Sequence, residues 1–390
     1  MKYRVSALRL ALTCLYIGVT GYGGPAIVGN MKQVFVDKKK WLTEEEFVTG
    51  LSLSQLLPSA IGVNTIEYIG YQLRGSLGAI IAPVCFIAPA TILMAILSAL
   101  YFAYGRLHAV QSLFIGLGAV VIALIINASF AVGKSAIKDV WGALLGLAGF
   151  VILQFLHGSV FVVAIFSAVA GFLIYRNKLE SEPGEPRESG QTNTSGISWW
   201  TCSAIVLAVA LVLTLTRHSE ITKLILSVLR VGALTFGGGF MSIPWFHHEA
   251  VDVHHWLTDR QFLDGIALGQ ITPGPVLITA NFIGYKVAGV FGALMGSIAI
   301  FTPGVAGMFV LAHQHEKVKH LVWLRAMIRG IIAGFMGVLL NVIIRLAEQS
   351  ISGWKTAALA GISLVVLMIA KKDPLWVIIG GAAVSLLIFR

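Results

Sequence analysis

The feature that most constrains this chain is a segment it carries twice. From Trp41 the sequence reads WLTEEEFVTGLSLSQLLPSAIGVNTIEYIGY, and from Trp256 it reads WLTDRQFLDGIALGQITPGPVLITANFIGY. Trp41, Leu42, Thr43, Phe47, Gly50, Gln55 and Pro58 recur as Trp256, Leu257, Thr258, Phe262, Gly265, Gln270 and Pro273, at an offset of 215. One residue then drops out. Gly70, Tyr71, Gly75, Gly78 and Pro89 recur as Gly284, Tyr285, Gly289, Gly292 and Pro303, at an offset of 214. In each copy an apolar stretch is interrupted by Gln-x-x-Pro. Two matched interruptions at membrane depth point to a transporter-type binding site between repeats.

The apolar character is general. Of 390 residues, 57% are hydrophobic and 12% charged, against about 25% charged in soluble domains. Apolar runs near the roughly 20 residues that span a bilayer recur throughout, so the chain reads as an all-α polytopic membrane protein. The net charge of +10 sits mostly in short loops, as Lys and Arg do on the cytoplasmic side of a membrane. No basic face interleaved with aromatics is present to hold a phosphate backbone, which argues against nucleic acid as a partner. Cys14, Cys85 and Cys202 have no paired spacing and read as small buried hydrophobes. The first apolar segment, 6–22, follows Lys2, Arg4 and Arg9. It runs into the repeat without a cleavage site before a polar domain, so it reads as a retained helix.

The pattern divides the chain into an N-terminal half (1–176), a polar linker (177–197) and a C-terminal half (198–390) that carries one extra span at 199–215. The linker NKLESEPGEPRESGQTNTSGI lacks apolar content. In the first half a helix over 6–20 ends at Gly21-Tyr22-Gly23-Gly24-Pro25. Thr43 and Glu46 predict a capping box for a helix starting at Glu44. That helix breaks at Pro58, a second piece follows to Leu73, and spans are expected at 76–101, 108–131, 139–156 and 159–175. In the second half a helix over 221–234 ends at Phe236-Gly237-Gly238-Gly239. The broken segment spans 262–286, followed by spans at 289–312, 322–346, 354–370 and 374–389.

The loop before the first broken segment holds Lys32, Lys38, Lys39 and Lys40, whereas its counterpart holds one arginine, three acids and four histidines. By the positive-inside rule they face opposite sides of the membrane, which favours inverted-topology repeats. Parity permits inversion only if the first broken segment crosses the membrane; the single unpartnered span at 199–215 then keeps the inversion. A re-entrant hairpin would leave the halves parallel.

Backbone that leaves a helix at membrane depth is tolerated where protein or a water-filled cavity supplies hydrogen-bond partners. Pro273-Gly274-Pro275 cannot continue a helix; Pro58-Ser59-Ala60 reads as a milder break. The helical piece after each break begins with free N–H groups and a positive dipole end, an arrangement that suits anions. Gly23, Gly24, Gly237 and Gly238 would let backbone approach a ligand, or would let helices pack closely. Uncharged donors cluster around the breaks, Ser52, Ser54, Gln55, Ser59 and Asn64 in the first copy and Gln270, Thr272, Thr279 and Asn281 in the second, with Gly274 at the second break itself. Tetrahedral oxyanions are well served by such donors.

This order of motifs resembles the chromate ion transporter family: Tyr/Phe-Gly-Gly-Pro, a loop ending in Trp-Leu, then Gly-Leu-x-x-x-Gln-x-x-Pro. The second copy is the closer match through Phe236-Gly237-Gly238-Gly239, Pro244, Glu249, Trp256, Phe262, Gln270 and Pro273-Gly274-Pro275. The resemblance covers both halves and implies a long-chain, two-domain member with antiparallel halves. It further implies movement of chromate, with sulfate as structural analogue, as efflux driven by the proton-motive force across the cytoplasmic membrane. The first copy departs at Pro58-Ser59-Ala60 and lacks a histidine after Gly-Gly-Pro, so two unequal half-sites are expected. The chemistry would weight oxyanion contacts to the second copy and proton handling to the first.

Each charged candidate has a structural alternative. Arg74 and Lys286, just past the matched tyrosines, could draw in a dianion or anchor helix ends at the interface. Glu67, matched by Asn281, is a candidate proton carrier if buried; Glu249 is a second, or a cap. His247, His248, His254, His255, His313, His315 and His320 match no zinc signature and read as a solvated loop, with proton sensing as the alternative. Asn127 and Asn341 read as hydrogen bonders between helices. No catalytic constellation, cofactor motif, metal motif or nucleotide-binding loop is present. This argues against an intramembrane enzyme and against ATP-driven pumping. A sulfate carrier or an anion channel remain alternatives, and association as a homodimer stays open.

Overall fold

The computed structural model describes residues 5–22, 24–156, 158–180, 219–318, 322–371 and 373–389. Among the described residues every regular element is helical. The first half contains α1 (Ala7–Thr20), α2 (Gly24–Lys32) with a π-helical turn at Gln33–Lys38, α3 (Glu44–Leu56), α4 (Ile61–Tyr104), α5 (His108–Ala136), α6 (Val140–Gln154) and α7 (Val160–Glu180). The second repeats the plan: α8 (Glu220–Leu234), a 3-10 turn at Gly239–Ser242, α9 (Ile243–His247), a π-helical turn at His248–Val253, α10 (Asp259–Ile271), a 3-10 turn at Val276–Ile278, α11 (Thr279–Val318), α12 (Val322–Ser350), α13 (Trp354–Met368) and α14 (Pro374–Ile388). Among the described residues five stretches are long and apolar enough to cross a membrane: Ile61–Tyr104, His108–Lys134, Val160–Asn177, Val276–Phe309 and Val322–Ser350. The expected span at 199–215, with Gly23, Cys202 and His320, lies outside the described residues.

The repeat is legible in fine detail. The capping box at Thr43 and Glu46 forms as the sequence predicts, and its counterpart at Thr258 and Gln261 forms too. Both π-helical turns sit at the same place in their copies, an uncommon geometry used twice.

Each broken segment folds back on itself. A side chain at Gly50 would run into the Tyr68 ring, and one at Gly265 into the Phe282 ring, so α3 lies against the start of α4, and α10 against the start of α11. Each arm rises about 20 Å at 1.5 Å per residue. A second reversal follows. Helical geometry fails at Arg74 and Gly75 (φ +62°), and Gly289 takes φ +57°. Gly70 and Gly78 touch backbone to backbone, as do Gly284 and Gly292. Eight residues of continuous helix would hold them about 12 Å apart, so the chain has turned. Both broken segments are therefore re-entrant hairpins.

The halves are nonetheless inverted, which corrects the parity argument. Arg74 donates to the Val5 carbonyl (2.9 Å), so α1 starts beside the base of the first hairpin, at what we call the lysine end. Its 14 residues give about 21 Å, short of the roughly 30 Å hydrocarbon core. Gly18 then lies on the backbone of Phe86 within α4. Helix α1 thus stops at mid-depth, and the turn after α2 leads back to the lysine end, where Lys32 pairs with Glu44. With α1 no longer a crossing, a re-entrant hairpin is compatible with inversion. The contacts of α5 and α12 settle the direction. Asp139, three residues past the end of α5, lies 3.9 Å from Arg329 near the start of α12. A side chain at Gly118, early in α5, would meet Ser350 at the end of α12. The two helices are antiparallel, so α12 begins where α5 finishes. Glu220 and Trp256 hydrogen-bond (3.2 Å) at the other, histidine end.

Helices are exchanged reciprocally. Helix α12 packs between α6 and α7 through Gly330, Gly334 and Gly337, which meet Gly171, Ser167 and Gly146. Helix α5 packs against α13 and α14, where Ser385 donates to the Ser112 carbonyl (2.6 Å) and Ser112 to the Phe389 carbonyl (2.6 Å). Small residues on both sides permit the close approach that drives association in lipid. Asn341, expected to bridge helices, donates to Gln154 of α6 (2.5 Å).

Candidate functional site

The two hairpin tips and the ends of α1 and α8 meet by the same reciprocal rule. The Ser59 N–H donates to the Thr235 carbonyl (2.8 Å), and the Gly274 N–H donates to the Gly21 carbonyl (2.9 Å). Gly21 caps α1 and Thr235 caps α8, and each is held by the tip of the other half. Ser59 takes φ +82° and Gly274 φ +124°. The break at Pro58-Ser59-Ala60 is therefore as sharp as Pro273-Gly274-Pro275, not milder; serine accepts the left-handed region at a cost of about 1–3 kcal/mol. Each tip rests on a long helix of the opposite half. Gly304 of α11 lies beneath tip 1, where an added Cβ would stand 2.6 Å from Asn64 Oδ1 and 2.8 Å from Ser59 Cβ. Ala90 of α4 lies beneath Gly274, 3.1 Å from where its Cβ would be. Pro89 and Pro303, one residue away inside those helices, each remove one helix hydrogen bond beside a tip.

Several buried polar atoms near the tips make no hydrogen bond within the described protein: Ser59 Oγ, Asn64 Oδ1, Gln270 Nε2 and Asn281 Oδ1. Leaving such groups unmet costs about 1–3 kcal/mol each, so the tips are polar surfaces without protein partners. Thr272 and Thr279 are buried and spend their hydroxyls on their own turns, through Leu268 (2.9 Å) and Val276 (2.9 Å). Gln55 is exposed, unlike half-buried Gln270. Gly237 (φ +87°) and Gly238 (φ +106°) form a left-handed pair just past α8. Gly24 starts α2.

Arg74 and Lys286 are not brought to the tips. Both sit at hairpin bases, at opposite ends of the bundle: Arg74 ties down Val5, and exposed Lys286 lies over the Phe102 ring, 5.3 Å from its centre. Glu67 is fully buried, and neither carboxylate oxygen has a hydrogen-bond partner. Its counterpart Asn281 donates to the Thr91 carbonyl (3.2 Å) and to Ser297 (2.9 Å); at the position matching Ser297 the first half has Pro83. Glu249 is buried at the histidine end, 3.6 Å from His254 and 4.0 Å from Arg230.

The histidines of the second loop divide: His255 is exposed as expected, His248 and His254 are half-buried, and His247 is buried, which corrects the expectation of a solvated loop for that residue. His247 is 2% exposed, with Nε2 2.7 Å from Asp259 and Nδ1 3.4 Å from Asp252. His254 stacks on Trp256 at 4.3 Å and bonds Ser227 (3.0 Å). The π-helical turn folds these side chains inward. Among the described residues no group of histidines, cysteines and acids could hold a metal ion.

Sequence reasoning missed the arginines nearest the site. A cavity of about 190 Å³ at the lysine end is lined by Arg325, Arg329, Val132 and Ile332 and reaches Gly237 and Leu56 beside the first tip. Arg329 also lies over the Tyr175 ring, 4.2 Å from its centre. A second cavity of about 560 Å³, lined by Thr20, Tyr22, Asn30, Gln33, Asp37 and Asp373, reaches Gly21, the acceptor of the second tip. A third, of about 260 Å³, opens at the histidine end among Tyr101, Gln111, Arg260 and Asp264. These arginines come from α12, far in sequence from the repeats' broken segments, and nothing in the local pattern distinguishes them from interface anchors.

Inverted halves, re-entrant hairpins meeting tip to helix end, and cavities opening beside those contacts define a multi-pass membrane protein built on transporter principles. The comparisons narrow the class. The family model described as Chromate transporter matches residues 8–172 and 222–386, and the chain belongs to that family. It is 30% identical to the chromate transport protein of Cupriavidus metallidurans over 389 residues, covering 96% of this chain and 91% of that one. It is 32% identical to an uncharacterized transporter of Methanocaldococcus jannaschii over 373 residues, covering 94% and 90%. The chromate transport protein of Pseudomonas aeruginosa is 29% identical over 345 residues, covering 86% and 79%. No solved structure matches.

Proposed function

We propose that this protein is a secondary carrier that exports chromate, or a similar tetrahedral oxyanion, across the cytoplasmic membrane by alternating access. The observation that carries the reading is the pair of reciprocal tip contacts, Ser59 to Thr235 and Gly274 to Gly21. Cavities at the lysine end reach Gly237, two residues from Thr235, past Arg325 and Arg329, and Gly21 itself. The positive-inside rule makes the lysine end cytoplasmic, so the oxyanion enters past these arginines. It is received by Gly237, Gly238, Ser59, Asn64, Gln270 and the N-termini of the second hairpin arms. Glu67, buried without a counter-ion, carries the coupled proton, with Glu249 as the second acid on the histidine side. The relatives named for chromate transport supply the anion; the sites themselves favour any compact tetrahedral dianion.

The test is flux in proteoliposomes of purified protein. An imposed proton gradient should drive chromate accumulation, an uncoupler should abolish it, and excess unlabelled sulfate should compete if the site reads shape and charge alone. Absence of both chromate and sulfate flux, together with unchanged chromate tolerance on expression, would sink the proposal. Accumulation that ignores an uncoupler would leave the anion and remove the proton coupling.

A further inference from the structure

The cavity at the histidine end has no part in the reading above, and it contains a buried acid. Asp264 lies on α10, the first arm of the second hairpin, and is 4% exposed. Its Oδ2 accepts a hydrogen bond from the Tyr101 hydroxyl of α4 at 2.7 Å. Tyr101 is edge-on to Phe102, Phe114 and Phe282, so the carboxyl sits against an aromatic wall. The remaining lining of the 260 Å³ cavity is Gly105, Gln111, Thr258, Arg260 and Gln261, which opens this wall to the histidine end. The matched position in the first hairpin is Thr49, so the acid belongs to one half only.

The charged groups around it are few. Arg260 is on its own helix, one turn earlier, and forms no ion pair with Asp264 within 4.0 Å. From α5 the cavity receives only Gln111 and Phe114; His108 beyond them contacts Ser112 (3.2 Å). From α12, Arg345 is engaged by Asp252 (2.7 Å) and Asp259 (3.2 Å). From the π-helical turn, Asp252 faces His247. Lys286 of α11 lies over Phe102. Helix α14 contributes no titratable side chain. A carboxyl so placed, wet on one side and without a paired cation, is built to change its protonation rather than to hold a salt bridge.

We propose that Asp264 is a proton-binding site that exchanges with the medium at the histidine end, separate from Glu67. The carboxylate takes one proton from water in the cavity and becomes a neutral acid; the reverse step returns the proton to the same side. The Tyr101 hydroxyl stays hydrogen-bonded in both states. Its consequence for coupling rests on the oxyanion reading. Protonation removes a negative charge from the hairpin that carries Gln270 and Gly274, so an anion is tolerated there only in the protonated state.

The test uses the full chain in lipid nanodiscs and pH-difference infrared spectroscopy of the protonated carboxyl stretch. Asp264→Asn, which keeps an acceptor for Tyr101, should delete one component of that band while Glu67→Gln deletes another. Tyr101→Phe removes a bond that favours the ionised form, so the Asp264 component should persist to higher pH, by about one unit or tenfold in proton affinity. A band identical in Asp264→Asn and wild type, with both proteins monodisperse, overturns the assignment. In proteoliposomes Asp264→Asn should also lose the stimulation of chromate flux by a pH gradient. Wild-type protein that moves no oxyanion defeats the transport reading alone, and the infrared result still decides Asp264.

Discussion

The ion cluster at the histidine end makes a sharp prediction about pH. His247, Asp252 and Asp259 occupy the positions that Lys32, Asp37 and Glu44 occupy in the first half, offset by 215. Lys32 pairs with Glu44 as His247 pairs with Asp259. Each pair ties the helix end just ahead of the π-helical turn to the N-terminus of a hairpin, but only the second tie titrates near neutrality. Burial, the largest single influence, pulls the His247 imidazole down. The hydrogen bonds with Asp252 and Asp259 outweigh it and leave the group above its ordinary value of 6.5. Burial likewise pushes Asp252 up, but His247, His248 and Arg345 hold it well below the carboxylate range. A raised histidine contributes stability that is complete below about pH 6.5 and is lost as pH climbs through the raised value. Breaking a buried pair costs roughly 3–5 kcal/mol. Arg345 remains on both carboxylates, so about 1–3 kcal/mol is the reasonable loss here. For a chain of 390 residues that corresponds to a fall of about 1–4 °C in melting temperature. Detergent-solubilised protein melted across about pH 5.5 to 8.5 should show this fall in wild type. His247→Lys, which copies the first half, should flatten it, and Lys32→His should add a second one. Wild type and His247→Lys with parallel pH profiles would refute the assignment of the dependence to this cluster.

Other substitutions probe the tips directly. Ser59→Gly relieves a left-handed serine and should raise the melting temperature by the equivalent of about 1 kcal/mol, whereas Gly274→Leu strains the backbone at φ +124° and should abolish flux. Gly304→Val places methyl groups against Asn64 and Ser59; overpacking of about 1–3 kcal/mol should displace tip 1 and cut chromate flux while the protein stays monodisperse. Arg329→Gln removes a positive charge from the lysine-end cavity and should raise the KM for chromate about tenfold with little change in maximal rate. Glu67→Gln should flatten the pH profile of flux more than it weakens chromate binding, as competition measurements would show.

Much of this architecture was legible in the chain because the repeat is written in residues with few substitutes. Gly70 with Gly78, and Gly284 with Gly292, had to be glycines to let the chain reverse, and they stood out as matched pairs. The capping box at Thr43 and Glu46 was readable because it is local. What failed was counting. A largely apolar run of 15 residues from Ser6 looks like a crossing, and the contacts of Gly18 with Phe86 and of Gly21 with a hairpin from the other half show that it stops at mid-depth. The Gln55 and Gln270 pair looked equivalent, yet one side chain is exposed and the other half-buried. The arginines of α12 and the carboxyl of Asp264 were invisible for a related reason: their neighbours, Asp139, Tyr175 and Tyr101, are distant in sequence. Proline at 58 reads as a mild break in sequence because serine at 59 can hide in many conformations; the hydrogen bond to Thr235 selects one.

The two halves share a backbone plan but not its chemistry, and that difference bears on how such a carrier can cycle. Inverted repeats of identical composition would hold both ends with equal tenacity. Here the lysine end carries a tie that does not titrate near neutrality, Lys32 with Glu44, and two cavities that reach Gly237 beside the first tip and Gly21, which holds the second. The histidine end carries a titratable tie, and its cavity reaches Asp264 short of the tip. On the proposed reading this conformation gives access from the lysine end. Releasing the His247 tie loosens the base of the second hairpin, the element whose tip holds Gly21. Movement of that hairpin would break the contact of Gly274 with Gly21 while Ser59 keeps Thr235, so the exchange of access would start in one half. The Lys32→His protein distinguishes this from a symmetric rocking of both halves: a titratable tie at the lysine end should add a second pH step to flux only if the hairpins move independently.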